Sequence, residues 1–278
     1  MYLDHFGLSE LPFGITPDTS YTVITRSHQE ALNTLLVALS RLNSGEGFIK
    51  ITGEVGTGKT LLCRRLLQAL PEGSVSAYLP NPYLAPRTLQ LALAEELGLE
   101  VSADSDDYHL LQSVNRALLE HAAADRQVVV CIDEAQAMPL ETLESLRLLS
   151  NLETEKRKLL QIVLFGQPEL DRKLAEPSVR QLLQRIAFHY RIGGLAREEV
   201  ANYLAHRLRV AGYRGEDVFG PRAVRCLHKA SRGTPRLLNI LAHKSLLAVF
   251  GEGKHAVRAG HVRRAAADTE GAASVGWW

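Results

Sequence analysis

Eight consecutive residues, Gly53-Glu54-Val55-Gly56-Thr57-Gly58-Lys59-Thr60, fit the pattern G-x-x-x-x-G-K-[ST] at every position. The chemistry of that spacing is the capture of a nucleoside triphosphate. Successive backbone N-H groups of a glycine loop, backed by the positive end of a helix that continues through Leu61, can surround the β- and γ-phosphate oxygens. Lys59 adds a point charge there, and the Thr60 hydroxyl is placed to join the shell of a magnesium ion that keeps most of its waters. A second stretch with chemical content is Val128-Val129-Val130-Cys131-Ile132-Asp133-Glu134. Asp133 would hold the magnesium, through water, and Glu134 would polarise the attacking water. Alone, an Asp-Glu pair at a strand end is an ordinary surface turn; beside a phosphate loop it points to hydrolysis. Asp133 follows Lys59 by 74 positions, which leaves room for a strand and two helices. That spacing suits the nucleotide hydrolases with an added strand and a catalytic glutamate.

Phosphoryl transfer is mostly positioning and charge neutralisation, so polar and cationic side chains should gather around the γ-phosphate. Three candidates stand out. Gln167, in Gly166-Gln167-Pro168-Glu169-Leu170, sits just beyond an apolar run and is placed to orient water. Arg185, in Gln184-Arg185-Ile186, precedes a strand and from there could reach a neighbouring subunit's phosphate as an arginine finger, with Arg180 as its rival. Arg236, in Gly233-Thr234-Pro235-Arg236, opens a helix and could reach back to the phosphate of its own chain. For each, a surface polar residue is the bland alternative, because these are single residues and not spaced motifs.

The elements that must position these groups follow from periodicity. Phe48–Thr52 reads as a strand and Leu61–Leu70 as an amphipathic helix, so strand, glycine loop and helix occur in the required order. Strands follow at Val75–Leu79, Gln127–Ile132, Leu159–Phe165 and Phe188–Ile192, with helices at 28–42, 88–97, 108–124 and 139–153. The near-continuous apolar run before Asp133 is that of a strand buried on both faces of a parallel sheet. Alternating strands and helices predict an α/β, doubly wound, parallel five-stranded sheet, with its ligand beyond the carboxyl ends of the strands. From Gly193 only helical spacing remains, at 197–210, 221–230, 236–250 and 259–268. This predicts a nucleotide-binding domain over 1–193 with an N-terminal arm at 1–26, and a smaller all-helical lid over 194–268. The arm and the helix after it could cover the adenine. Residues 269–278 read as a flexible tail ending in Trp277 and Trp278, a docking element or a disordered end.

The chain has 278 residues, 46% hydrophobic and 23% charged, with a net charge of +1. It is the composition of a globular protein with no global pull toward DNA or anionic membrane; Lys156-Arg157-Lys158 and Arg263-Arg264 are the local exceptions. Cys63, Cys131 and Cys226 are widely separated and read as small buried hydrophobes in a reducing cytoplasm, not as a disulfide or zinc framework. The acidic stretch Glu100–Asp107 reads as a solvated connection. No secretory signal and no bilayer-crossing segment is expected.

The phosphate loop, Val128–Glu134, Gly166-Gln-Pro-Glu-Leu170, Gln184-Arg185-Ile186 and Gly233-Thr-Pro-Arg236 together resemble the AAA+ ATPases of the general secretion pathway A type. The opening Phe6-Gly7-Leu8, Pro12-Phe13, Thr16-Pro17-Asp18 and His28-Gln-Glu-Ala-Leu32 resemble them too. Gly45–Lys50 and Gly53–Arg64 are most similar to the branch attached to mannose-sensitive haemagglutinin type IV pilus biogenesis. The resemblance reaches to about residue 268 and implies a P-loop AAA+ core, ATP with Mg2+, self-association with a site shared between subunits, and partners in pilus or secretion machinery. It implies a cytoplasmic protein, peripheral at the inner face of the cytoplasmic membrane. Two departures limit it. The transmembrane helix and peptidoglycan-binding part of the secretion members are not expected here, and Gln167 stands where many AAA+ proteins have Asn, Ser or Thr. Because transposition-helper and replication-initiator ATPases share this core, an ATP-dependent DNA-binding regulator is the alternative. The near-neutral charge and the lack of a helix-turn-helix or winged segment after the lid speak against it.

Overall fold

Five strands, β1 (Phe48–Gly53), β2 (Val75–Leu79), β3 (Val128–Ile132), β4 (Gln161–Gly166) and β5 (Ile186–Ile192), form one sheet in the order β2-β3-β4-β1-β5. Every pairing in it is parallel. The helices, in chain order, are α1 (Tyr2–Phe6), α2 (Arg26–Ala38), α3 (Lys59–Ala69), α4 (Pro86–Glu96), α5 (Asp107–Ala123), α6 (Leu140–Leu149), α7 (Glu169–Leu174), α8 (Arg180–Leu183), α9 (Arg197–Val210), α10 (Pro221–Ser231), α11 (Pro235–Gly251) and α12 (Ala259–Ala267). This is a computed structural model; it describes residues 2–14, 21, 23–40, 47–100, 106–153 and 158–276. Thr16-Pro17-Asp18, Gly45 and Glu46, most of the acidic stretch 100–107, Lys156-Arg157 and Trp277-Trp278 lie outside the described residues.

Within those limits the chain forms two compact units: residues 30–54 with 58–192, and residues 1–29 with 55–57 and 193–278. In the first, side chains alternate across the sheet as the two-residue period of a strand requires. Val128, Val130, Ile132, Ile162 and Leu164 face one core layer, built with Leu89, Leu110, Leu146 and Leu170 from α4 to α7. Val129, Cys131, Val163 and Phe165 face the other, built with Leu35 of α2 and Leu62 and Leu66 of α3. β1, β3 and β4 are buried along their whole length, whereas β5, an edge strand, alternates. Asp106 caps α5 by accepting from the His109 amide at 2.8 Å, so part of the acidic stretch has a structural task.

In the second unit α9 to α12 surround a core of Leu204, Leu208, Leu227, Leu238, Leu241 and Val262. Two expectations are corrected there. The arm does not belong to the α/β unit: Phe6, Leu8, Phe13 and Tyr21 are buried in the helical core. Arg207 Nε donates to Pro12 O at 2.7 Å, and Asn239 Nδ2 to Gly14 O at 3.2 Å. Spaced aromatics reveal that an arm packs, but not against which apolar surface. The tail is not loose over its described length either, since Ala272 and Val275 pack on the same core and the Ala273 amide donates to Ala230 O at 2.8 Å. Its small residues gave no periodic signal. Among the described residues no helix is long and apolar enough to cross a membrane.

Candidate nucleotide site

β1 delivers the chain into the glycine loop, and α3 begins at Lys59 with Gly58 as its N-cap at φ 90°. Gly56 also has positive φ, 79°. Both angles lie where a Cβ is disfavoured, which explains the glycine the pattern requires at 58 and the one this chain adds at 56, a position the pattern leaves open. Lys59 is 5% exposed, and its Nζ donates to Gly53 O at 2.9 Å and Glu54 O at 3.1 Å. Burial pushes its ammonium below the ordinary lysine range, while Glu134, Asp133, Glu54 and Glu169, in that order, oppose the shift. The site thus concentrates negative charge around one buried cation.

β3 and β1 do not pair; β4 lies between them. α3 closes that gap, because Thr60 Oγ1 at its start donates to Asp133 Oδ2 at 2.6 Å. Asp133 is 2% exposed, and its other oxygen accepts the Glu134 amide at 2.9 Å. A short hydroxyl-carboxylate contact is a donor set suited to magnesium when phosphate oxygens and waters complete the shell. No group of three His, Cys, Asp or Glu among the described residues could hold a metal alone, and a magnesium bound with phosphate does not require one.

Glu134 turns the chain at φ 51°, a left-handed value costly for a residue with a side chain. Its Oε2 accepts from Gln136 Nε2 at 2.5 Å and from Gln167 Nε2 at 3.1 Å. The Gln167 amide in turn donates to Gln136 Oε1 at 2.9 Å. Lys173 of α7 secures the turn from behind, with Nζ 2.5 Å from Gln136 O and 2.6 Å from Met138 O. Gln136 and Lys173 escaped the sequence reading. Gln136 was visible two places after Glu134, but nothing in the sequence showed that a 3-10 turn over Ala135–Ala137 would fold it back.

The structure therefore brings Lys59, Thr60, Asp133, Glu134 and Gln167 together in one unit. Arg185 is elsewhere. β5 starts beside Phe48 and ends beside Gly53, so Arg185 lies a strand's length, about 20 Å, from its own phosphate loop. Its Nη1 donates to Ser150 Oγ at 2.8 Å and to Arg147 O at 3.3 Å. Arg180, at the start of α8, is exposed. Arg236 opens α11 in the helical unit, and there the space that a Cβ on Gly56 would need is filled by the Arg236 side chain. α11 has no acidic residue in its first turn, so the helix itself offers this cation no counter-charge at its positive pole.

A family model for the AAA domain matches residues 41–174. Over all 278 residues the chain is 42% identical to general secretion pathway protein A of Aeromonas hydrophila, of which it spans 50%. Residues 41–174 thus carry an AAA domain, and the whole chain is similar to general secretion pathway protein A. It spans only about half the length of that curated relative. Among solved structures it is similar to Cdc6p from Pyrobaculum aerophilum, with TM-score 0.65, 17% identity, and 91% of this chain and 71% of that one covered. The ORC2 protein of Aeropyrum pernix gives 0.64 at 19% identity, covering 94% and 74%. The RuvB branch migration motor of Thermotoga maritima gives 0.54 at 16%, covering 86% and 67%. At such identities the likeness shows the fold alone, a P-loop AAA arrangement.

Proposed function

We propose that this AAA protein hydrolyses ATP with Mg2+ to drive a conformational or assembly step in a secretion machine of the type II kind or in type IV, MSHA-type, pilus biogenesis. The observation that carries the hydrolytic reading is the 2.6 Å contact of Thr60 with Asp133, with Glu134 as the next residue. Bound there, magnesium would supply charge neutralisation for the transferring phosphoryl group. The glycine loop and Lys59 hold the β- and γ-phosphates. Glu134 takes the proton of the attacking water, and Gln167, hydrogen-bonded to it, orients that water. Arg236 adds positive charge from residues 194–268, which act as a lid. Arg185, too far from its own loop, serves the site of a second copy, with Arg180 as the other candidate. The relative's place in a secretion pathway supports a position at the inner face of the cytoplasmic membrane.

The shared site is tested by ATP turnover as a function of protein concentration. Lys59→Ala and Arg185→Ala are each expected to be inactive and to regain activity when mixed, since each supplies the half its partner lacks. No recovery, with turnover per chain independent of concentration, would contradict a shared site; the same mixture with Arg180→Ala decides between the two arginines.

One observation favours the DNA-binding alternative. Residues 193–278 hold fourteen Lys and Arg against seven Asp and Glu, so the net charge of +1 conceals a basic helical part. On α10, Arg222, Arg225 and Lys229, with Arg232 just after it, are exposed at spacings of three, four and three, and the helix has no acidic residue. That is one helical face of like charges. Turnover stimulated by duplex DNA in the same assay, and lost with salt as phosphate contacts require, would favour this reading.

A further inference from the structure

We propose that Gln136 is a positioning residue for the hydrolytic step, coupling the Glu134 carboxylate to Gln167 so that the two present a water as one unit. The inference rests on the hydrolytic reading above. Its basis is a closed set of contacts within the α/β unit. Gln136 spends both ends of its amide on the site: Nε2 donates to Glu134 Oε2 at 2.5 Å, and Oε1 accepts the Gln167 backbone amide at 2.9 Å. Gln167 Nε2 reaches the same Glu134 oxygen at 3.1 Å. Two amide donors on one oxygen fix the plane of the carboxylate and leave Oε1 as the oxygen to which a water proton can go. A neutral donor pair orients the charge without cancelling it, as a cation would.

The supports of Gln136 point the same way. Lys173 Nζ grips the carbonyls of Gln136 and Met138, so the turn that carries Gln136 is anchored to α7, the helix that follows Gln167. Gly166, the last residue of β4, leaves no room for a side chain: an added Cβ would come within 2.7 Å of Leu170 and 3.2 Å of Gln136 Oε1. β4, α7 and the turn after β3 are thereby packed to hold one amide between two functional side chains. A surface glutamine serving solubility would have no such enclosure.

The test uses the whole chain and compares Gln136→Leu, which removes both amide ends at similar volume, with Gln136→Glu, which keeps the shape and puts a like charge against Glu134. Binding of a fluorescent ATP analogue, kcat and KM for ATP, and the melting temperature are measured for each. Expected is a fall in kcat of about 10- to 100-fold, the cost of misplacing a reacting group, with analogue affinity and melting temperature held close to those of the unaltered chain. Gln167→Leu added to Gln136→Leu is expected to cost little more than the worse single change, because residues acting as one unit are not additive. Unchanged kcat in both Gln136 variants, or a loss of analogue binding and melting temperature that accounts for the loss of kcat, would overturn the proposal. If the unaltered chain itself turns over no ATP, the hydrolytic reading fails; if it turns over ATP and the Gln136 variants match it, only this inference fails.

Discussion

At the scale of the residue, the site is a contest between burying charge and neutralising it. Lys59 is pushed below its ordinary range by burial, against the opposing pull of Glu134, Asp133, Glu54 and Glu169; its Nζ donates to two loop carbonyls. Asp133 is as deeply buried and is satisfied by one hydroxyl and one amide. The motif gave the residue types and their spacing before any coordinates; the partners themselves, two loop carbonyls for Lys59 and the Asp133 carboxylate for Thr60, come from the structure. What was not legible was the hydrogen-bond partner of Glu134. A turn that reverses the chain at φ 51° brings Gln136 back onto Glu134, and periodicity carries no sign of such a turn.

At the scale of the element, α7 is the clearest case of a part that sequence pattern could not supply. Six residues, Glu169–Leu174, are too few to show a helical period. Yet this helix spans the distance between β1 and the turn after β3. Its Asp171 accepts from Lys50 Nζ at 2.5 Å, in the middle of a strand whose neighbours are wholly buried, and its Lys173 secures Gln136. Lys50 is 6% exposed while the Asp171 side chain is 40% exposed. Replacing Lys50 by Met should therefore cost less than breaking a fully buried pair, about 1 to 2 kcal/mol in urea unfolding. Asp171→Asn, which keeps an acceptor for Lys50, should cost less than Asp171→Leu; the reverse order would show that the pair does not tie α7 to β1. The long strands and helices, by contrast, were read to within a few residues, because β3 is apolar throughout, β1 and β4 are mostly so, and α9 to α11 repeat on one face.

At the scale of the molecule, the contacts group residues 193–278 with 1–29 and 55–57. The sequence reading misplaced the arm and loosened the tail, since neither Phe13 nor Val275 shows in sequence which core will receive it. Stability of the whole chain should depend on pH in a definite direction. Burial holds His121, His189 and His243 below the usual histidine range. Between the folded values and about 6.5 the unfolded chain binds more protons, so stability rises with pH across that window and is lost on acidification. Glu252, held down to about 2 by Lys254, Arg264 and His261, begins to lose its contribution only below about 4.5, and so leaves the histidine window undisturbed. The melting temperature is expected to be lower at pH 5.5 than at pH 7.5, with a smaller difference in His189→Asn together with His243→Asn; an equal difference would assign the effect to other groups.

The central claim is that one nucleotide site separates holding from hydrolysis, with Lys59 serving the first and Glu134 the second. Equilibrium binding of a fluorescent ATP analogue, measured beside single-turnover hydrolysis of ATP in magnesium, tests it most directly. Lys59→Ala should lose binding. Glu134→Gln should bind as the unaltered chain does and hydrolyse at least about a hundredfold more slowly, the weight of a general base. A Glu134→Gln protein that hydrolyses ATP at the unaltered rate would contradict the account.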